Sequence, residues 1–230
     1  MVKVAYVHVL PLEYYPPARN LLGIMAAQPA WRVRAWSSEN RRGQPPARIP
    51  GVEISRPAQS ARGIMPVRVL RLLTWHIRTA LELAAWRPDA VMYVEPHSAP
   101  AAWIYYRILR GTAALFIHHH EYYAPEDYRR RGMRLLRRSL VLEQRYLFPR
   151  ATWVSQTNQP RLDLLLQWNR SIRPEAAKVL PNYPLRRFVE IAASAGAKPA
   201  SAMTRLIYVG SASFEDTFIR EAANLVMRHP

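Results

Sequence analysis

Short apolar runs alternate with longer helical patterns along this chain, and this alternation restricts its fold more than any other feature. Candidate strands lie at 2–9, 31–36, 52–55, 90–94, 113–117, 152–155 and 178–180, and candidate helices lie at 18–27, 66–86, 99–109, 131–148 and 161–168. Strands that alternate with helices form βαβ units, and such units place their strands in a parallel sheet. We therefore predict an α/β fold built on a doubly wound parallel sheet.

The same pattern divides the chain into two domains. Residues 1–190 contain enough strands for one complete sheet, and residues 191–204 are small and weakly polar, as expected of a linker. Residues 205–230 add one strand and one helix, the first βα unit of a second domain. One βα unit cannot bury its own apolar faces, so we expect the rest of this domain in the same gene or in a partner chain.

Composition excludes several classes of site. The 230 residues include no cysteine, which rules out disulfides, thiolate catalysis and zinc–thiolate sites. Half of the residues are hydrophobic, so a sizeable core can form. The N-terminus has no basic region followed by an apolar one, and no stretch of about 18 apolar residues occurs. We expect a cytoplasmic protein, either soluble or peripheral on the inner face of the plasma membrane.

The formal net charge is +17, which has two interpretations. A GC-rich genome favours arginine, and only three of the 33 basic residues are lysines. A binding role requires an acidic partner, either an anionic membrane or nucleic acid. Arg68, Arg71, Trp75 and Arg78 fall within an arc of about 80° on a helix, which predicts membrane contact with Trp75 at the interface. We rank nucleic acid lower because no groove-binding or RNA-binding motif is present.

A polar run, 118–123 (HHHEYY), follows the strand that ends at Ile117. Loops at the carboxyl ends of parallel strands carry ligand chemistry in open α/β sheets, so we expect these side chains to face a crevice. No second Asp, Glu or His cluster with metal-ligand spacing accompanies the run, so we predict no metal site. Glu143 lies on an apolar helix face, which predicts a structural pair with an arginine or with loop amides.

Five short motifs in order resemble retaining glycosyltransferases of the GT-B fold, the large family 4 type. The run 118–126 (HHHEYYAPE) is similar to that family's D-x-H-E-[YF]-[YF]-x-x-E segment, with His118 at the position of the Asp. The other motifs are 87–91 (RPDAV), Glu143 with 151–155 (ATWVS), 178–182 (KVLPN), and 206–210 (LIYVG) with Glu221 and Ala222. They span nearly the whole chain, and they imply a Rossmann-like GT-B N-terminal domain followed by a truncated second one.

The resemblance implies transfer of a sugar from a nucleotide-sugar to a glycan or lipid-linked acceptor, with retention at the anomeric carbon. The first domain then binds the acceptor and the second binds the donor, without a cofactor or a required metal. His120 is the implied catalytic residue, and the implied substrate-binding residues are His118, Glu121, Arg19, His97 and Asn182. Gly210 and Ser211 occupy the donor loop, where Ser211 and Asp216 replace the family's Arg and Lys.

Two functional hypotheses follow. In the first, the chain is the acceptor-binding half of a glycosyltransferase and is inactive without the remainder of the donor domain. In the second, it is a non-enzymatic basic α/β module that binds an anionic membrane or nucleic acid. Liposome and nucleic-acid binding across a salt series would discriminate between them.

Overall fold

The structure is a computed structural model, and it describes residues 1–39, 45–56, 65–130 and 132–182. The predicted linker 191–204, the predicted βα unit 205–230 and the donor-loop residues Gly210 and Ser211 lie outside these ranges. The fold and the site below are those of the first predicted domain.

Seven parallel strands form one sheet in the described part of the chain. In chain order they are β1 (Val2–His8), β2 (Trp31–Ser37), β3 (Val52–Ser55), β4 (Ala90–Val94), β5 (Ala114–His119), β6 (Trp153–Gln156) and β7 (Ala177–Val179). Their order across the sheet is β3-β2-β1-β4-β5-β6-β7, and every neighbouring pair is parallel. This arrangement confirms the predicted α/β fold with a doubly wound parallel sheet.

The helices connect these strands. They are α1 (Pro16–Ala26), α2 (Met65–Trp86), α3 (Ala99–Trp103), α4 (Arg134–Leu142) and α5 (Gln159–Trp168). The helices predicted at 99–109 and 131–148 are present, and each changes from α-helical to π-helical geometry along its length. Helix α3 continues as the π-helical turn Ile104–Ile108, and α4, which begins at Arg134, continues as Glu143–Leu147. The start of α5 has a side-chain cap, since Asn158 Oδ1 accepts a hydrogen bond from the Arg161 backbone N–H at 3.0 Å.

Apolar side chains alternate between the two faces of the sheet. On one face, α1 packs its buried Ala18, Leu22 and Met25 against β1, β2 and β4. On the other face, residues of α2, α3 and α5 pack against β1, β4, β5 and β6. Right-handed crossovers place helices on opposite faces on either side of β1, where the strand order reverses. Ligands of open α/β sheets bind at the carboxyl ends of the strands beside such a reversal.

The structure corrects the predicted orientation of α2. Trp75, expected at a membrane interface beside the arginines, is 1% exposed and packs in the core. Helix rotation explains the error, because Trp75 shares its side of α2 with the buried Thr79. Arg68 and Arg78 are exposed and Arg71 is half-buried. Within the described ranges, we find no helix with both the length and the apolarity to cross a bilayer.

Strand β5 ends later in the chain than the sequence pattern predicts. Sequence pattern placed this end at Ile117, but the strand continues through His118 and His119. These two residues pair in register with Ser155 and Gln156 of β6, so the neighbouring strand extends the ladder past the apolar run. Strand pairing depends on backbone hydrogen bonds, which polar residues make as well as apolar ones.

Candidate functional site

Three neighbouring strand ends bring polar side chains together beside the reversal of strand order. His8 is the last residue of β1, Glu95 directly follows β4, and His120 directly follows β5. All three side chains are buried, as are His118 and His119. The expectation that the run 118–123 faces a crevice holds for His119, Glu121, Tyr122 and Tyr123, which line a cavity, but not for His118 and His120. The imidazoles are packed against one another and against polar partners, within the carboxyl edge of the sheet.

Glu95 organises the loop after β5. Its Oε1 accepts hydrogen bonds from the backbone N–H groups of His120 at 2.7 Å and Glu121 at 3.1 Å. Its backbone φ is +65°, a left-handed value that costs a non-glycine residue about 1–3 kcal/mol. Its Oε2 is buried and finds no hydrogen-bond partner among the described residues. Burial raises the pKa of the Glu95 carboxyl to about 7, so the group is poised between its two protonation states near neutral pH.

One ring nitrogen of His120 forms a hydrogen bond, and the other has no hydrogen-bond partner among the described residues. Its Nδ1 lies 3.1 Å from Asn182 Oδ1, an acceptor, so Nδ1 carries the proton and donates. The remaining Nε2 has an available lone pair, is buried, and contacts no donor in the described chain. Burial lowers the pKa of His120, which keeps the ring neutral at pH 7. Arg161 fixes the backbone here by donating to the His120 carbonyl at 2.6 Å.

His8 and His118 flank His120. The ring centroids of His118 and His120 are 4.5 Å apart, and those of His8 and His120 are 6.5 Å apart. Ser155 Oγ donates to the Ile117 carbonyl at 3.1 Å, and it accepts from His118 Nδ1 at 2.9 Å. Neither ring nitrogen of His8 has a partner within the described residues. Burial lowers the pKa of both histidines to about 3, so both are neutral at physiological pH.

His119 points to the opposite face of the sheet, as alternation along a strand requires. Its Nε2 lies 2.9 Å from Glu143 Oε1, and the Tyr93 hydroxyl donates to the same oxygen at 2.8 Å. Glu143 is fully buried, which confirms a structural pair, but its partners are a histidine and a tyrosine where we expected an arginine or loop amides. Burial opposes charge on His119, yet Glu143 and Glu95 outweigh it and raise its pKa.

The remaining predicted residues lie at varying distances from this cluster. Asn182 contacts His120, as described above. His97 lies in the turn after β4 with a buried Nδ1 that has no partner in the described chain, and burial lowers its pKa. Glu121 is exposed and lies 3.7 Å from Arg161. Arg19 is exposed in the first part of α1, and its side chain forms no hydrogen bond or ion pair with the described residues of the cluster.

Sequence reasoning missed Glu95, His8 and Tyr15. Tyr15 directly precedes α1, and the centroid of its ring lies 4.7 Å from that of His8, edge to face. His8 and Glu95 each follow an apolar strand, as the histidine run does, so their position at strand ends was an available signal. Nothing in the pattern showed that these strands would be neighbours. In the described ranges, no three His, Asp or Glu side chains are grouped so that they could hold a metal ion.

Comparison with solved structures identifies the same fold in a synthase, a galactosyltransferase and an epimerase. A sucrose-phosphate synthase from Thermosynechococcus elongatus has 13% identity and a TM-score of 0.54, over 84% of this chain and 96% of that one. The apo lipopolysaccharide outer core galactosyltransferase WaaB has 10% identity and a TM-score of 0.53, over 78% of this chain and 45% of that one. A Neisseria meningitidis UDP-GlcNAc 2-epimerase bound to UDP-GlcNAc has 14% identity and a TM-score of 0.50, over 77% of this chain and 46% of that one.

These similarities establish the fold, which is that of GT-B glycosyltransferases and of an epimerase. The chain spans about half the length of the full-length synthase, the galactosyltransferase and the epimerase, at 48%, 45% and 46%. A comparison with protein-family models found no match. A comparison with curated protein sequences found none either.

Proposed function

We propose that this chain is the acceptor-side half of a GT-B glycosyltransferase. The complete enzyme transfers a sugar from a nucleotide-sugar donor to a glycan or lipid-linked acceptor, with retention at the anomeric carbon. The fold shared with a galactosyltransferase and a sucrose-phosphate synthase supports this proposal. The motif order in the sequence supports the retaining family 4 type.

The observation that carries the proposal is the cluster formed by His8, Glu95 and His120. It lies at the carboxyl edge of the sheet beside the strand-order reversal, where such folds bind ligands. Four buried polar atoms of the cluster have no hydrogen-bond partner among the described residues: His120 Nε2, Glu95 Oε2 and both ring nitrogens of His8. Buried polar atoms without partners are rare in folded proteins, and a ligand rich in hydroxyl groups would supply the missing hydrogen bonds.

The chemistry assigned to each group follows from its protonation state. Neutral His120, with its proton on Nδ1, accepts a hydrogen bond from a sugar hydroxyl through Nε2. The Glu95 carboxyl, near its pKa at pH 7, holds the His120 loop and hydrogen-bonds an adjacent hydroxyl. Arg19, at the start of α1 where the N-terminal end of the helix dipole is positive, contacts the donor phosphates. His118 and His97 support the cluster from either side.

Turnover of the complete gene product with a panel of nucleotide-sugars tests the proposal. Replacing His120 with alanine should reduce turnover about a hundredfold, because a positioned hydrogen bond at the reacting sugar is lost. Glu175→Gln changes an exposed acid outside the five motifs and is the matched control, expected to leave turnover unchanged. Epimerisation of the nucleotide-sugar without transfer would reject the glycosyltransferase assignment. Full activity of His120→Ala would reject the role of His120 in transfer.

The exposed side of α2 supports a second candidate function, attachment to an anionic membrane. Leu70, Leu73, Ile77 and Leu81 are between 49% and 65% exposed and fall within an arc of about 80°. Arg78 and Arg71 lie along one edge of this apolar arc, and Arg68 lies farther round. An apolar stripe bordered by arginines is the pattern of a helix that lies in a bilayer interface. The net charge of +17 favours the same partner.

Vesicle co-sedimentation tests this surface. The chain should bind vesicles that contain about a third anionic lipid more strongly than neutral ones, and high salt should weaken the binding. Leu73→Gln with Ile77→Gln should abolish binding, whereas Leu164→Gln, an exposed leucine on α5, should not. Equal binding to duplex nucleic acid would favour a general polyanion surface. Membrane binding without turnover would favour the non-enzymatic module.

A further inference from the structure

A cavity of about 460 Å³ opens on the face of the sheet opposite His118 and His120. His119 of β5 and Gln156 of β6, which pair in register, border it at the carboxyl ends of their strands. The other sides come from α4, from α5 and from the loop at 121–129. The volume lies within the range of about 300–1,000 Å³ typical of small-molecule sites. The mechanism proposed above does not use this cavity.

The walls of the cavity are aromatic. Tyr122, Tyr123, Tyr128 and Trp168 all line it, and the rings of Tyr123 and Tyr128 meet edge to face at 5.9 Å. Burial and the nearby carboxylates raise the pKa of Tyr123 to about 12, so its phenol keeps its proton and can donate. Flat aromatic rings pack against the C–H face of a sugar ring, and phenols hydrogen-bond its hydroxyls.

The charge of the cavity is positive. Arg129 and Arg137 line it, and neither forms an ion pair with a carboxylate of the described residues. The adjacent Arg130, by contrast, is paired with Asp127 at 3.1 Å. Glu121 also lines the cavity, but it faces Arg161 at 3.7 Å. Two guanidinium groups without a partner carboxylate form a site suited to a carboxylate or a phosphate.

We propose that this cavity binds an acidic sugar, a hexose-sized ring that carries a carboxylate or a phosphate. The ring packs against the tyrosines and Trp168, and the anionic group contacts Arg129 and Arg137. This inference rests on the proposed function and deepens it, since it makes the acceptor, or the terminal unit of the acceptor, anionic. Two amide side chains that also line the cavity restrain part of its wall, since Gln144 Nε2 donates a hydrogen bond to Asn169 Oδ1 at 2.8 Å.

Titration calorimetry on the full chain, without donor, tests the site with three probes. Glucuronate, glucose 6-phosphate and glucose share a ring and differ in charge. We expect one or both anionic probes to bind about tenfold more tightly than glucose, and their order identifies the preferred anion. Arg129→Gln with Arg137→Gln should remove that preference, and Trp168→Ala should weaken all three probes. The control is Arg138→Gln, which changes an exposed arginine of α4 that does not line the cavity.

Equal binding of glucose and both anions, or a preference that survives Arg129→Gln with Arg137→Gln, would overturn the proposal. Circular dichroism of each variant shows whether it is folded, and both arginines are exposed, so folding should be retained. The two proposals fail separately. Nucleotide-sugar turnover with no anion preference rejects the cavity site alone. Arginine-dependent anion binding with no turnover rejects the glycosyltransferase and leaves an anion-binding site.

Discussion

The buried carboxylates of this protein depend on hydrogen bonds from neighbouring residues. A buried carboxylate is costly unless it is hydrogen-bonded, and Glu143 meets that requirement through His119 and Tyr93. Glu95 uses two backbone N–H groups for the same purpose. The sequence placed Glu143 on an apolar helix face but not its partners, because His119 and Tyr93 come from two different strands.

Removing the Glu143 carboxylate should destabilise the protein. Glu143→Ala leaves His119 and Tyr93 buried without their acceptor, and we expect a loss of about 3–5 kcal/mol in the free energy of unfolding. Urea denaturation measures the change. Asp163→Asn is a matched control on α5, where the carboxylate is exposed and bonds Gln159 at 2.6 Å, and it should change stability by less than about 0.5 kcal/mol. A similar effect of both substitutions would contradict a structural role for the buried pair.

At the scale of elements, close contacts determine where helices end and how they pack. The segment after α3 reaches Gly111, whose N–H donates to the Tyr105 carbonyl at 3.0 Å. A Cβ at Gly111 would overlap the Tyr105 ring, so only glycine allows this approach. Gly23 in α1 has nothing within 4 Å of the corresponding position. A Cβ atom would therefore clash at Gly111 and would have free space at Gly23.

Gly111→Ala and Gly23→Ala should change stability in opposite directions. Gly111→Ala forces Tyr105 or the backbone to shift, and we expect a loss of about 1–3 kcal/mol. Gly23→Ala adds no clash and lowers the conformational entropy of the unfolded chain, so we expect a gain of about 0.5–1 kcal/mol. Thermal unfolding of both variants checks the pair. Equal effects would show that the packing at Gly111 is looser than the structure indicates.

At the scale of the whole molecule, buried histidines make stability depend on pH. Burial lowers the pKa of His8, His76 and His118 from 6.5 to about 3. Between pH 6.5 and 3 the unfolded chain therefore binds protons that the folded chain does not, which favours unfolding. Glu95 acts in the opposite sense, since its raised pKa of about 7 lets the folded chain hold one more proton below pH 7.

His97 and His120, whose pKa values are also lowered, act with these three histidines, whereas His119, whose pKa is raised, acts in the same sense as Glu95. The groups that favour unfolding are the more numerous, so acidification should destabilise the protein. We expect the free energy of unfolding to fall from pH 6.5 to pH 4.5 by about 1.4 kcal/mol per pH unit for each net proton, and the melting temperature to fall steadily with it. Replacing His76 with leucine removes one titrating group away from the proposed site and should make the decline shallower. A melting temperature that is constant or rises over this range would contradict the burial of neutral histidines.

The sequence by itself determined the parallel sheet, because alternating apolar runs and helical patterns depend only on local periodicity. Strands β3 and β4 match their predicted bounds, and the polar residues at the strand ends were visible as breaks in apolar runs. Local periodicity also identified Glu143 as a buried acid.

Only the tertiary structure decided the contacts that form the site. Strand order brings His8, Glu95 and His120 together, and pairing with β6 carries β5 past Ile117. The rotation of α2 about its axis buries Trp75 and exposes the apolar arc that contains Leu70 and Ile77. The spacing of the arginines in the sequence does not reveal this rotation. These outcomes depend on packing between segments far apart in the chain, and a pattern read along one segment contains no information about the neighbours that segment will meet.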